Sequence, residues 1–146
     1  MLKGIPSILT PELLKTLMEM GHSDEIVIAD GNFPSCTFGK NIIRLDGHGV
    51  PDVLDAILKF FPLDTYVEKP VTLMEVVPGD TVETPIWDVY DEIIKKHEPK
   101  NNKIEYIERF AFYERTKGAY AVIATSEAAL YANIILKKGV VIEKIK

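Results

Sequence analysis

An unbroken run of four apolar residues, IVIA at positions 26–29, constrains the fold of this chain more than any other feature. A strand with one face in water alternates apolar and polar residues, whereas an unbroken run is typical of a strand covered on both faces in a parallel or mixed sheet. We therefore predict a buried strand over residues 25–30. The same strand character recurs over residues 42–45, 71–77, 104–108, 120–125 and 134–136.

Helical patterns separate most of these strands. Thr10 before Pro11 is an N-cap followed by a proline at the first helical position, and Gly21 is expected to end that helix in a left-handed conformation. Residues 31–39 are expected to form a loop. Further helices are predicted over residues 51–61, from residue 85 to about residue 97, and over residues 110–117.

Alternating helices and apolar strands predict an α/β fold with a central, largely parallel sheet that helices cover on both faces. No linker is long enough to divide the chain, so we expect a single domain over residues 1–146. No glycine-rich phosphate loop or GxSxG turn follows any predicted strand, which argues against a nucleotide cofactor and a serine nucleophile.

Charge and cysteine content exclude several classes of function. The chain has 17 basic and 22 acidic residues and a formal charge of −5, which argues against a nucleic-acid partner. One cysteine, Cys36, suits a reducing compartment, and no Cys/His cluster predicts a metal site. No apolar stretch approaches the roughly 18 residues of a membrane span, and the N-terminus lacks a signal-peptide pattern. We therefore expect a cytoplasmic protein without a membrane partner.

Two side chains suited to proton transfer stand on either side of the apolar run. His22 precedes it and Asp30 ends it, and imidazole and carboxylate groups exchange protons near neutral pH. Ligands of open α/β sheets collect outside the carboxyl ends of strands, where Asp30 is expected. The alternatives are a surface or capping histidine at position 22 and a cap on the following turn at position 30.

Other polar residues could bind a neutral polyol. Tyr131 and Asn133, two residues apart in a predicted loop, offer both donors and acceptors, although a turn with a locally bonded asparagine is the alternative. Arg109 could donate to sugar or acid oxygens or form a salt bridge. Three aromatic residues could form an apolar wall for a sugar or belong to the core: Phe33, Phe112 and Tyr113.

Three motifs in a fixed order link this chain to a known family. They are LTPELLKTLMEMGHSDEIVIAD followed by NFP, RFAFYER near residue 110, and YANIILKKG at residues 131–139. With these motifs the chain resembles the family of L-fucose mutarotases and D-ribose pyranases, which interconvert anomers or ring forms of free monosaccharides. The resemblance covers nearly the whole chain. It is greatest to the L-fucose mutarotase branch, because Arg109 stands where the ribose branch has a histidine.

The resemblance implies a cofactor-free isomerase that interconverts the anomers of L-fucose. It implies that His22 is the general acid, that Asp30 is a carboxylate in contact with the sugar, and that Tyr131, Ala132 and Asn133 contact the substrate through backbone and side-chain atoms. The alternatives are a D-ribose pyranase, a mutarotase of broader range and a non-catalytic monosaccharide-binding protein with the same fold.

The spacing of His22 and Asp30 raises a geometric problem. A straight strand rises about 3.3 Å per residue, which places Glu25 and Asp30 roughly 16 Å apart and His22 beyond the far end. Either residues 22–24 fold back, or one subunit supplies His22 and another supplies Asp30. We favour the second arrangement, because the resemblance implies a ring-shaped homo-oligomer, with decamers of stacked pentamers in the family, and a closed ring has heterologous interfaces.

Overall fold

The apolar runs form one six-stranded sheet in the computed structural model, which describes residues 1–144. In chain order the strands are β1 (Glu25–Ala29), β2 (Ile42–Leu45), β3 (Val71–Met74), β4 (Ile104–Ile107), β5 (Ala121–Thr125) and β6 (Ile134–Lys137). They lie in the order β2-β5-β1-β6-β3-β4, and β6 is the one described strand that runs antiparallel to its neighbours. The prediction of a largely parallel sheet is confirmed.

Helices cover both faces of this sheet, as predicted. The helices are α1 (Pro11–Glu19), α2 (Ser35–Phe38), α3 (Val50–Leu58), α4 (Pro85–His97) and α5 (Arg109–Gly118). Ile26 and Ile28 of β1 point into one buried cluster with residues of α1, α3 and α4, whereas Val27 and Ala29 join Phe112 of α5 in a second cluster on the other face. This alternation explains why the run has no polar position, since successive strand residues face opposite sides.

Two local predictions were wrong. Helix α1 ends at Glu19 with Met20 extended, and Gly21 is not among the residues with positive φ. The Gly21 N–H instead donates to Asp24 Oδ2 at 2.7 Å, and Ser23 takes the left-handed conformation with φ of 72°. The segment predicted to be entirely loop, residues 31–39, contains the four-residue helix α2. Residues 145 and 146 of the predicted single domain lie outside the described residues.

The direction of β6 decides which loops meet. Ile134, at its start, pairs with Ile28 near the end of β1, and Lys137, at its end, pairs with Glu25 at the beginning of β1. We call the edge next to Ala29 and Ile134 the carboxyl edge and the edge next to Glu25 and Lys137 the amino edge. Residues 131–133 therefore lie at the carboxyl edge with Asp30, and His22 lies at the amino edge.

A short segment after α3 extends the amino edge. Leu63 forms a β-bridge with Lys138, and the Asp64 N–H donates to the Lys137 carbonyl oxygen at 3.0 Å. The Gly139 N–H donates to the Pro62 carbonyl oxygen at 2.8 Å. A Cβ atom at position 139 would lie 2.5 Å from the Leu63 carbonyl oxygen, so this close approach requires glycine. None of the helices within residues 1–144 has the length and apolar character needed to cross a membrane.

Gly139→Ala is expected to lower the free energy of unfolding by about 1–3 kcal/mol, the usual cost of overpacking. The added methyl group can be accommodated only if the backbone around Leu63 moves. Gly118→Ala is the matched control, because no atom lies within 4 Å of a Cβ placed there. Denaturant unfolding of both variants measures the difference, and an equal effect of the two substitutions would contradict the steric explanation.

Candidate active site

A cavity of about 260 Å³ at the carboxyl edge brings together most of the predicted site residues. Asp30 follows β1, Arg109 is the first residue of α5 after β4, and Tyr131 and Asn133 precede β6. Asp30 and Asn133 are 103 residues apart along the chain, and the antiparallel direction of β6 brings the loop before it to Asp30. The remaining wall consists of Asn32, Phe33, Met74, Asp80, Tyr113 and Leu130.

Asp30 is fixed by the loop before β6. Its backbone N–H donates to Asn133 Oδ1 at 2.7 Å, and its carboxylate accepts from the N–H groups of Asn32 at 3.0 Å and Ala132 at 3.4 Å. The residue is only 6% exposed. Burial raises the pKa of Asp30, against the lowering effect of these hydrogen bonds. The site therefore holds a carboxyl group that accepts a proton more readily than an ordinary aspartate does.

Ala132 lies beneath the cavity and does not line it. Its N–H points to Asp30, and its carbonyl oxygen accepts from the Tyr90 hydroxyl at 2.7 Å. The residue is fully buried. Both of its backbone polar groups therefore have partners within the chain, which makes Ala132 a support for Asp30.

Tyr131 adopts a left-handed conformation, with φ of 54°, which turns its side chain along the cavity wall. Its hydroxyl donates to Asp80 Oδ2 at 2.7 Å and accepts from the Val77 N–H at 3.4 Å, and its carbonyl oxygen accepts from Trp87 Nε1 at 2.8 Å. The hydrogen bond to Asp80 raises the pKa of Tyr131. The phenol therefore stays protonated at neutral pH and is oriented by Asp80.

Arg109 and the aromatic residues complete the cavity. The guanidinium carbon of Arg109 lies 4.6 Å from the centre of the Phe110 ring, a cation–π contact. Phe33 and Tyr113 line the cavity, with ring centres 5.6 Å apart, whereas Phe112 is fully buried in the core. The wall thus offers one cation and an apolar surface next to the polar group of Asp30 and Asn133.

Sequence reasoning missed Asp80, Asn32, Met74 and Leu130. Asn32 belongs to the NFP motif, which is a usable signal, and Met74 lies within the strand predicted over residues 71–77 and ends β3. Nothing in the local sequence shows that the Tyr131 hydroxyl, 51 residues away, bonds to Asp80.

His22 lies at the amino edge and does not line this cavity. The Ser23 N–H donates to the Lys138 carbonyl oxygen at 2.9 Å, and the Lys138 N–H donates to the Asp24 carbonyl oxygen at 2.8 Å. These bonds hold residues 23 and 24 against the end of β6, so the segment does not fold back towards Asp30. His22 Nε2 lies 3.0 Å from Asp64 Oδ1, and the side chain is 40% exposed. The chain therefore presents His22 and Asp30 at opposite edges of its sheet.

Comparison with known families places nearly the whole chain in one family. The model of the RbsD / FucU transport protein family matches residues 3–141. The chain belongs to this family. The resemblance found in the sequence motifs is confirmed.

Within the residues described, no three His, Cys, Asp or Glu side chains converge in a way that could hold a metal ion.

Members of the RbsD / FucU family differ in how similar they are to this chain. A Danio rerio protein named fucose mutarotase is 54% identical over 146 residues, covering 96% of this chain and 94% of its own. The Streptococcus pneumoniae fucose mutarotase, solved in complex with L-fucose, is 52% identical with a TM-score of 0.92, covering 97% of this chain and 100% of its own. Bacillus subtilis RbsD, solved with D-ribose, is 28% identical with a TM-score of 0.70, covering 92% of this chain and 95% of its own.

Proposed function

We propose that this protein is an isomerase that interconverts the anomers of L-fucose by acid–base ring opening and reclosure. The observation that carries the proposal is the cavity of Asp30, Arg109, Tyr131 and Asn133 in a chain that is 52% identical to a fucose mutarotase bound to L-fucose. Identity to the ribose-bound relative is much lower, at 28%, which favours fucose over ribose.

The reaction needs only proton transfers. A base removes the proton of the anomeric hydroxyl, an acid protonates the ring oxygen, and the bond between the anomeric carbon and the ring oxygen breaks to give the open aldehyde. After rotation about the adjacent carbon–carbon bond, the hydroxyl formed from the ring oxygen attacks the other face of the aldehyde, gives up its proton, and the aldehyde oxygen is protonated to become the new anomeric hydroxyl. Positioned acid–base groups typically accelerate such steps by about 10²- to 10⁴-fold.

The residues divide between proton transfer and binding. We assign proton transfer to His22, whose imidazole can serve both directions near neutral pH. Asp30 binds a sugar hydroxyl or accepts its proton, which its raised pKa favours. Arg109, Tyr131 and Asn133 hydrogen-bond to further hydroxyls, with Ala132 supporting Asp30 from below. Phe33 and Tyr113 provide an apolar surface for the sugar ring and its methyl group.

We infer that two subunits share each site. His22 and Asp30 lie at opposite edges of one sheet, and neither edge contains both proton carriers. A head-to-tail ring places the amino edge of one copy against the carboxyl edge of the next, and every interface then holds one complete site. A ring of this kind, assembled as a decamer of two stacked pentamers, is the assembly we propose.

Asn133→Ala is expected to weaken L-fucose binding by about 10-fold or more while leaving the oligomer intact. The substitution leaves the buried Asp30 N–H without its acceptor, which costs about 1–3 kcal/mol and displaces the carboxylate. Binding is measured by calorimetry and assembly by sedimentation. Asn102→Ala, which removes a hydrogen bond to Glu98 at the end of α4, is the matched control. Loss of assembly instead would show that the loop before β6 is chiefly structural.

Magnetisation-exchange NMR tests the proposed activity directly. The exchange rate between α and β anomers is measured for equilibrated L-fucose, D-ribose and L-rhamnose with and without the protein. We expect the largest acceleration for L-fucose. A larger acceleration of the exchange between ribose ring forms than of L-fucose anomers would favour a D-ribose pyranase. Equal acceleration for all three sugars would favour a mutarotase of broader range. Sugar signals that shift without faster exchange would overturn the enzyme proposal in favour of a sugar-binding protein.

We also propose a cytoplasmic location. The single cysteine, Cys36, is exposed and unpaired in the part of the chain described, which fits a reducing compartment. Fractionation of the cells that make the protein would test this, and recovery from a secreted or membrane fraction would contradict it.

A further inference from the structure

A buried carboxylate supports His22 at the amino edge. Asp64 Oδ1 lies 3.0 Å from His22 Nε2, and the Asp64 side chain is only 1% exposed, whereas that of His22 is 40% exposed. The Tyr66 ring lies against the imidazole, with ring centres 4.9 Å apart. Asp64 takes no part in the proton transfers and sugar contacts proposed above.

Backbone bonds fix Asp64 independently of His22. Its N–H donates to the Lys137 carbonyl oxygen at 3.0 Å, and its carbonyl oxygen accepts from Asn101 Nδ2. The carboxylate itself also accepts from the Tyr66 N–H at 3.0 Å. Asp64 is therefore held in place by hydrogen bonds that do not involve His22, and the His22 side chain is the more exposed of the two.

The charge of Asp64 determines which imidazole nitrogen carries the proton. Burial raises the pKa of Asp64, but the Tyr66 N–H, the hydrogen bond to His22 and the charge of Lys137 outweigh burial, so that the pKa lies below its usual value. The ionised carboxylate has only acceptor sites. Nε2 of a neutral His22 must therefore carry the hydrogen, and Nδ1 is left without one.

We propose that Asp64 is a positioning residue for the mutarotase reaction: it holds Nε2 of His22 protonated and leaves Nδ1 as the atom that exchanges a proton with the sugar. This inference rests on the proposed function. A fixed carboxylate behind the imidazole reduces its freedom to rotate and selects one tautomer, and correct orientation of a catalytic group is a large part of its effect. The Tyr66 ring limits rotation further from one side.

The test compares three variants with the unmodified protein. Asp64→Leu removes the acceptor, and Asp64→Asn keeps an oxygen that can accept from Nε2. Asp55→Asn is the matched control, because Asp55 Oδ1 bonds to His97 Nε2 at 2.7 Å in a similar pair on α3 and α4. The measurements are the ¹⁵N shifts of the histidine rings, which identify the tautomer, and kcat and KM for L-fucose anomer exchange.

We expect the neutral His22 ring of the unmodified protein to carry its hydrogen on Nε2. Asp64→Leu should abolish this preference. It should also lower kcat by about 10- to 100-fold with little change in KM, because positioning accounts for a part of the effect of an acid–base group. Asp64→Asn should retain the tautomer and stay within about 10-fold of the unmodified kcat, since the amide oxygen still accepts. Asp55→Asn should change neither measurement for His22.

Two results would overturn the inference. One is an Nδ1–H tautomer in the unmodified protein, which needs no variant and remains decisive if Asp64→Leu fails to fold. The other is a folded Asp64→Leu variant with unchanged kcat. A loss of stability with an unchanged tautomer would assign Asp64 a structural role only. If the unmodified protein fails to accelerate anomer exchange, the proposed function fails, whereas the tautomer measurement still reports on the Asp64–His22 pair.

Discussion

Replacing His22 by glutamine is expected to slow L-fucose anomer exchange by about 10²- to 10⁴-fold, the usual contribution of a positioned acid–base group. The glutamine amide can still donate a hydrogen bond to Asp64, which lies 3.0 Å from the imidazole in the unmodified protein. It cannot gain and lose a proton near neutral pH. The substitution therefore removes the chemistry while it preserves the contact, and magnetisation-exchange NMR measures the loss.

His97→Gln is the matched control for this prediction. His97 Nε2 bonds to Asp55 at 2.7 Å, a second histidine–aspartate pair that lies between α3 and α4. We expect the L-fucose exchange rate of His97→Gln to remain within about twofold of that of the unmodified protein, because His97 belongs neither to the cavity nor to the His22–Asp64 pair. A His22→Gln variant that retains full activity would show that another group transfers the proton.

Asp30→Asn is expected to lower kcat/KM for L-fucose by about 10²-fold or more, because the amide cannot accept a proton from the sugar. The same change should make the fold more stable at pH 7. Burial raises the pKa of Asp30, so the folded state is most favoured when the group is neutral, and this contribution is lost as the pH rises through the folded pKa. Asparagine remains neutral and avoids that loss.

Thermal unfolding at pH 7 and at pH 3 separates the two effects of this substitution. The gain in stability should be present at pH 7 and should shrink at pH 3, where Asp30 itself is protonated. Asp91→Asn, which removes an exposed carboxylate paired with Lys95 on α4, controls for the general effect of removing one negative charge. A destabilised and inactive Asp30→Asn protein would instead indicate that the ionised carboxylate holds the loop before β6 in place.

Patterns within a few residues were sufficient to predict most of the fold. The run at 26–29 predicted β1 and its burial on both faces, because every position of a strand between two helical layers must be apolar. Pro11 and Pro85 predicted the starts of α1 and α4, and each of these helices begins at its predicted proline. The short helix α2 carries no apolar periodicity over its four residues, so no pattern could reveal it.

Long-range contacts are what the sequence could not supply. Asp30, Arg109, Tyr131 and Asn133 were predicted as site residues from motifs, and the sheet brings all four to one cavity. Asp64 and Asp80 were not predicted, because their partners are distant in the sequence. Asp64 bonds to His22, 42 positions away, and Asp80 bonds to Tyr131, 51 positions away. Those contacts depend on how β6 runs between β1 and β3, and local propensity does not encode that.

In the proposed shared site, two copies of the chain divide the reaction between them. His22 lies at the amino edge beside Asp64, and Asp30 lies at the carboxyl edge beside Asn133. If assembly completes each site, a subunit that lacks one proton carrier can still lend the other to its neighbour. The shared site is therefore the central claim, and it can be tested with the two inactive variants already described.

The most direct measurement is the activity of oligomers that contain both His22→Gln and Asp30→Asn subunits. The two chains are co-expressed with different tags, purified over both, and assayed by magnetisation exchange on L-fucose beside each variant alone. In a randomly mixed ring, about one interface in four combines an intact His22 with an intact Asp30, so we predict recovery of about a quarter of the unmodified activity. Activity no greater than that of the separate variants, in oligomers verified to hold both, would contradict a shared site.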